Sequence, residues 1–194
     1  MLENYKKHVA ERAEQNIPPL PLDADQTSEL IELLKKDHQE SDFLLNLLKE
    51  RVPAGVDQAA YVKAAFLADI TTGKTSSPYI SKIDAVKILG TMLGGYNIQP
   101  LIECLKDNEL AETAAHVLSR TLLIFDAFNE IFELSKTNEH AKKVVEEWAN
   151  ATWFTEKTDI EEQIKLTVYK VTGEINTDDL SPAPDAWSLS LIHI

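Results

Sequence analysis

Turn signals divide most of this chain into short segments, and each segment has the apolar spacing of an amphipathic helix. Pro18, Pro19 and Pro21 end the first segment, because proline within a helix removes a backbone hydrogen bond. No strand-like alternation of apolar and polar residues occurs before residue 160. The pattern therefore predicts a mainly α fold, in which short antiparallel helix pairs stack as an α-solenoid or a compact helical array.

The residues at the segment ends predict the individual helices. The first helix is predicted over residues 2–14, and four further helices begin beside a side chain that can cap them. Pro100 suits the first turn of a sixth helix. Later helices are predicted from about 110 to 128 (with or without an internal break), from about 130 to 135 and from about 138 to 153. The capping candidates are Asp23 or Asp25, Ser41, Asp57, and Ser81 or Asp84.

The periodicity changes after residue 160. Ile164, Leu166 and Val168 alternate with more polar neighbours, which is typical of a half-buried strand. A polar, proline-rich turn region follows at residues 173–184. We therefore predict a helical domain over residues 1–158 and the beginning of a second domain over residues 159–188. A single strand without a partner is not a stable unit, so the sequence is expected to be cut from a longer protein.

The last six residues, 189–194, differ in character from the rest. Their sequence, LSLIHI, is the translation of CTG TCT CTT ATA CAC ATC, which resembles a common transposase sequencing adapter. We therefore predict that the native sequence ends at Ser188 and that residues 189–194 are a non-native tail. The alternative is a genuine apolar terminus.

Charge and cysteine content limit the classes of function. The net charge is −13, and an acidic surface repels phosphate backbones, so composition gives no support to nucleic-acid binding. The single cysteine, Cys104, cannot form an internal disulfide, which fits a reducing compartment. The N-terminus lacks the apolar stretch of a secretory signal, and no apolar run reaches the length of a membrane span. These features predict a cytoplasmic protein with no membrane partner.

Catalytic and metal-binding motifs are weak in the helical region. The glycine-rich run at residues 90–95 follows a helix rather than a strand, so a helix end with a left-handed glycine is favoured over a phosphate-binding loop. Cys104 alone cannot hold an iron–sulfur cluster, which needs three or four thiolates. We therefore assign no catalytic, substrate-binding or metal-ligating residue. The histidines are scattered, and none has another His, Cys or Asp at helical spacing that makes a convincing metal site; they are His8, His38, His116 and His140.

The most interesting polar cluster is Thr177, Asp178 and Asp179, which follows the predicted strand. Adjacent carboxylates in a turn can cap a helix or orient a neighbouring histidine or arginine. A structural turn is favoured, and the orienting role stays open. Trp148 and Trp153 lie near the predicted domain boundary, where packing is the favoured role.

Three long segments resemble the bacterial aconitate hydratase B family, the bifunctional aconitases and 2-methylisocitrate dehydratases. The likeness runs from residue 1 to residue 188, and gap-free motifs of this length are far more specific than a short pattern. The segments are RVPAGVD with AAYVKA at residues 51–57 and 59–64, LGTMLGGYNIQPLI at 89–102, and VTGEINTDDLSPAPDAWS at 171–188.

The resemblance implies an N-terminal HEAT-like helical domain followed by the first strand and turn of the family's α/β swivelling domain. It also implies a [4Fe–4S] cluster acting as a Lewis acid, and interconversion of citrate and isocitrate through cis-aconitate in the tricarboxylic acid cycle. The family's cluster cysteines and catalytic serine lie further along than this sequence reaches. Its first substrate-binding arginine is expected at the position of Leu189. The 194 residues are therefore predicted to be inactive and to bind no cluster.

For the helical domain, the resemblance implies homodimer contacts, help in shaping the substrate channel, and mRNA binding under iron shortage. Two hypotheses follow. The chain is either a piece of a hydro-lyase or a stand-alone helical-repeat scaffold for dimerisation or regulation. The predicted strand and the turn at Asp178 and Asp179 favour the enzyme piece, because a scaffold has no use for one unpaired strand.

Overall fold

A computed structural model describes residues 2–121, 127–156, 162–166, 168 and 173. No β-strand occurs among these residues, so the predicted mainly α class is confirmed. A π-helical turn over Leu47–Arg51 continues the third helix. In chain order the helices are α1 (Leu2–Glu14), α2 (Ala24–Leu34), α3 (Ser41–Asn46), α4 (Gln58–Thr72), α5 (Lys82–Leu89), α6 (Ile98–Cys104), α7 (Ala111–Leu118), α8 (Phe128–Leu134), α9 (Glu139–Ala149) and α10 (Thr152–Thr155).

Three helix starts follow from capping side chains, as predicted. Asp23 accepts a hydrogen bond from a backbone amide of the first turn of α2, and Asp57 accepts two such bonds at the start of α4. Ser81 and Asp84 form a reciprocal capping box at the start of α5. These side chains satisfy amides that have no partner within the helix, and each cap contributes about 1 kcal/mol to stability.

Other predicted helix ends are wrong or shifted. Ser41 is the first residue of α3 rather than its cap, and no side chain caps that helix. The region predicted as helix from 110 to 128 contains α7, which ends at Leu118, and the first residue of α8, Phe128. Residues 122–126 lie outside the described part. The helix predicted from 138 to 153 is two helices, because Ala151 adopts a left-handed conformation with φ of 51° between α9 and α10. Alanine ordinarily favours a helix, so the sequence gives no sign of this break.

The strand predicted around residues 164–168 is not formed in the described residues. Ile164, Leu166 and Val168 are 65%, 75% and 85% exposed and carry no strand hydrogen bonding. The alternation of apolar residues is present, but a strand also needs a neighbouring strand to pair with, and none is present in the described part of the chain.

The hydrophobic core runs from α1 to α9 as one cluster. α4 packs on α2, α5 and α6, while α7 packs on α5, α6 and α9, and both α8 and α10 pack on α9. Burial of one leucine side chain stabilises the fold by about 2 kcal/mol. Fully buried side chains from successive helices include Leu30, Leu34, Leu44, Leu67, Leu89, Leu101 and Ile102.

One charged residue lies inside this core. Lys63 is on the face of α4 that also carries Ala60 and Leu67, and only 1% of its surface is exposed. Burial lowers the pKa of Lys63 from 10.5 to about 8, and attraction by the Glu50 carboxylate opposes part of this shift. At about 1.4 kcal/mol for each pKa unit, keeping the ammonium protonated in the core costs the fold up to about 3 kcal/mol.

This cost depends on pH. The unfolded chain, in which Lys63 has its ordinary pKa, binds more protons than the folded chain between pH 8 and pH 10.5. The destabilisation caused by buried Lys63 is therefore largest below pH 8, and it decreases as the pH rises towards 10.5.

We predict that Lys63→Met stabilises the protein at pH 7 by on the order of 2 kcal/mol, and that this gain shrinks as the pH rises from 8 towards 10. The measurement is urea unfolding of the variant and the wild type at both ends of this range. Lys87→Met is the control, since Lys87 is exposed on α5. A lower stability of Lys63→Met at pH 7, or a difference that does not change with pH, would contradict the buried-ammonium interpretation.

Candidate functional site

The polar cluster singled out by the sequence lies outside the described residues. Thr177, Asp178 and Asp179 all fall there, as does Leu189. The functional role suggested for this turn therefore stays a prediction, and so does the non-native origin of residues 189–194. The described residues that carry the family resemblance are those of its first two segments, together with Gly173 of the third.

These two segments meet in the structure. We call residues 54–57 and 92–97 the paired loops: the first leads into α4, and the second connects α5 to α6. The amide of Leu93 donates to the carbonyl of Ala54 at 2.8 Å. The Tyr96 hydroxyl donates to the carbonyl of Val56 at 2.9 Å, across 40 residues of sequence. The two motifs therefore contact each other in the folded chain.

Gly94 makes this contact sterically feasible. A β-carbon at Gly94 would lie 1.9 Å from the carbonyl oxygen of Gly55, a separation that no side chain can adopt. Gly95 has a different role, since its φ of +87° lies in the left-handed region and the space around it is open. The glycine-rich run does end a helix, as predicted, but the glycine at the end of α5 is Gly90 with a right-handed φ of −65°, and the left-handed glycine, Gly95, lies later in the loop. The close approach of Gly94 to Gly55 was missed, although a glycine in each of the two motifs was a signal for it.

Asn97 holds the second loop from inside. Its side chain is fully buried, and its Nδ2 donates to the carbonyls of Leu89 at 2.9 Å and Met92 at 3.0 Å. These bonds satisfy carbonyls at and just after the end of α5. Its Oδ1 has no hydrogen-bond partner among the described residues. Asn97 thus serves the loop's structure rather than projecting a polar group to solvent.

The outer side of the paired loops is apolar. Leu93 is 70% exposed and Tyr96 is 37% exposed, beside the exposed Val56. The ring of Tyr61, on α4, meets the ring of Tyr96 edge to face with their centroids 5.4 Å apart. The ring contact and the hydrogen bond to the Val56 carbonyl hold the Tyr96 side chain in position at the surface. This arrangement is suited to contact with another protein surface, and it offers no nucleophile or base.

A cavity of about 480 Å³ lies beside the paired loops and is lined by side chains of both charges. Its Asp84 is engaged in the α5 capping box, and the hydrogen bond from Ser81 lowers the pKa of that carboxyl. Asp84 is therefore held as a structural carboxylate and is poorly suited to act as a base near neutral pH. The lining residues are Lys49, Glu50, Ala54, Asp84, Lys87, Ile88 and Thr91.

The [4Fe–4S] cluster implied by the family resemblance does not fit the residues of this chain. Cys104 is the single cysteine of the sequence, and burial raises the pKa of its thiol, which favours the protonated form. A cluster needs several thiolates. Among the described residues, no three His, Cys, Asp or Glu side chains are grouped so that they could hold a metal ion.

The four histidines singled out by the sequence belong to no group of potential metal ligands among the described residues. His8 accepts a hydrogen bond from the amide of Leu20, and His38 accepts one from the amide of Glu40. His116 is exposed on α7, and His140 is half-buried on α9. In the part of the chain that the structure describes, no helix combines the length and the apolar character that a membrane crossing requires.

Comparison with known proteins covers nearly the whole chain. The family model of the aconitate B N-terminal domain matches residues 4–154, and that of the aconitate hydratase 2 N-terminus matches residues 166–194. The first match begins within α1, includes α2 to α9 and ends within α10.

Three relatives illustrate the similarity. Aconitate hydratase B of Salmonella typhimurium is 58% identical over 190 residues, and that of Escherichia coli is 57% identical over 190 residues. Each match covers 97% of this chain and 22% of the relative. Aconitate hydratase B of Helicobacter pylori is 49% identical over 195 residues, covering all of this chain and 23% of the relative. The chain thus spans less than a quarter of these relatives' length, and it belongs to the aconitate B N-terminal domain family.

Proposed function

We propose that this chain is the N-terminal helical part of a hydro-lyase that interconverts citrate and isocitrate through cis-aconitate and also hydrates 2-methyl-cis-aconitate. The observation that carries the proposal is the 57–58% identity, over 97% of the chain, to proteins named aconitate hydratase B. We further propose that these 194 residues have no catalytic activity alone.

The described residues support the second statement. The carboxylate that lines the cavity from α5 is held in a capping box, and the apolar surface of the paired loops offers no reactive group. The single cysteine cannot hold the implied [4Fe–4S] cluster, so its thiolate ligands would have to lie elsewhere in the full-length protein.

We extend the proposal to the domain division, with a HEAT-like helical domain over residues 1–158 and the beginning of the swivelling domain over 159–188. The successive packing of α2, α4, α5, α7 and α9 supports a helical array of this kind. The two family models, which match residues 4–154 and 166–194, support a boundary between those ranges.

The cellular setting belongs to the same proposal. A single buried cysteine fits a reducing compartment, which supports a cytoplasmic protein. We do not extend the proposal to mRNA binding, because a net charge of −13 opposes contact with a phosphate backbone.

A second role, homodimer formation through the helical domain, is supported by the paired loops. Tyr61, Leu93 and Tyr96 present apolar surface, and the contacts that fix the loops limit the entropy lost when a partner binds. The stand-alone scaffold hypothesis depends on the same surface, so one experiment addresses both.

The catalytic proposal predicts that the purified 194-residue chain does not hydrate cis-aconitate above background, whereas the full-length protein does after iron and sulfide reconstitution. The measurement is the loss of cis-aconitate absorbance, with the fragment and the full-length protein at equal molar concentration. Turnover by the fragment, or a reconstituted full-length protein without activity, would contradict the proposal.

The dimer proposal predicts that Leu93→Ser shifts the 194-residue chain from dimer to monomer, raising the dissociation constant at least about tenfold, because it places a polar group in the contact. Sedimentation equilibrium measures the constant. Ile83→Ser is the matched control, since Ile83 is also a large exposed aliphatic residue but lies on α5 away from the paired-loop residues in sequence. A wild-type chain that is monomeric at all concentrations, or equal effects of both substitutions, would refute this role.

A further inference from the structure

Exposed phenylalanine and tryptophan side chains are concentrated in one stretch of the chain. In the described residues before 122, Phe66 is buried and Phe43 is half-buried. Between residues 127 and 156, by contrast, four such side chains are exposed. We call Phe128, Phe132, Trp153 and Phe154 the exposed aromatic set, and their exposed fractions are 44%, 45%, 43% and 76%.

The set lies on the two helices that flank α9. Phe128 and Phe132 are on α8, with their rings stacked and their centroids 6.1 Å apart. Phe128 also stacks on Trp148 of α9, whose indole nitrogen donates to the carbonyl of Leu118 at 3.1 Å. These contacts hold the α8 rings in defined positions at the surface.

Trp153 and Phe154 are on α10, the last helix before residue 156. Their rings meet at 62° with centroids 5.6 Å apart. Glu156, directly after α10, forms an ion pair with Arg120. Arg120 also lies 3.6 Å from Glu147 of α9, so the end of α10 is tied to the body of the helical domain. The aromatic pair is therefore anchored beside the point where the chain leaves that domain.

The fully buried contacts of α8 and α9 are made by residues outside this set. Ile131 of α8 and Ala141 and Val144 of α9 are fully buried and supply the contacts between these helices and the core. Exposed aromatic rings on a folded domain cost solubility, and aromatic residues are enriched at surfaces that another protein surface covers. The concentration of four exposed rings on α8 and α10 therefore indicates that another protein surface covers them.

The continuing chain is the occupant best placed to cover them. The second family model begins at residue 166, and the ten residues from 156 to 166 can span at most about 36 Å. At the start of this second match and just before it, the chain carries three exposed apolar residues, Ile164, Leu166 and Val168. Relatives continue far beyond the region matched here, since the chain covers only 22% of their length.

We propose that the exposed aromatic set is the docking surface for the domain that begins at about residue 159 of the same chain, with Ile164, Leu166 and Val168 on the facing side. The contact fixes the second domain next to the last helices of the first. This inference rests on the proposed function in one respect, since it requires the longer protein of which this chain is a part.

Hydrogen exchange tests the contact in the full-length protein against the 194-residue chain. Amides of α8 and α10 are expected to exchange at least about tenfold more slowly in the full-length protein, because docking suppresses their local opening. Phe154→Ser in the full-length protein should remove most of this added protection. Leu20→Ser is the matched control, since Leu20 is 53% exposed but lies between α1 and α2, and it should leave the protection unchanged.

Aconitate hydration by the same full-length sample separates this inference from the proposed function. An active full-length protein whose α8 and α10 exchange as fast as in the 194-residue chain would overturn the docking surface and leave the function standing. An inactive protein with slow exchange that Phe154→Ser reverses would support the docking surface and count against the function. Equal effects of Phe154→Ser and Leu20→Ser on α8 and α10 would also overturn the docking surface.

Discussion

The contact between Gly94 and Gly55 is the constraint on which the arrangement of the central helices depends. It joins the loop that leads into α4 to the loop between α5 and α6, and α4 is the helix that packs on α2, α5 and α6. The hydrogen bonds from Leu93 and Tyr96 add to it. Because two backbones meet without space for a side chain, this contact fixes the distance between the helix ends more strictly than leucine packing can.

Local chemistry was predictable from the sequence, and distant contacts were not. The caps at Asp23, Asp57 and Ser81 act on amides within the next few residues, so a short window contains the whole interaction. The approach of Gly94 to Gly55 joins positions far apart in sequence, and neither motif names its partner. The break at Ala151 has no local signal.

The structure predicted beyond residue 160 depends on partners that the described residues do not include. Apolar alternation at 164–168 is real, but pairing with another strand decides whether a strand forms, and the described residues supply none. The candidate turn at 177–179 lies outside the described residues. In the helical part, the motifs that carry the family resemblance form the backbone contact of the paired loops, while the rings on α8 and α10 are exposed.

We infer that the Gly94 contact, and not merely glycine's backbone freedom, holds the helical array together. Gly94→Ala and Gly95→Ala add the same methyl group at neighbouring positions, and equilibrium urea unfolding compares them directly. We expect Gly95→Ala to cost about 1 kcal/mol, from its positive φ alone. Gly94→Ala should cost about 3 kcal/mol or more, because the Gly55 backbone must move away. Equal losses, or a smaller loss for Gly94→Ala, would contradict this account.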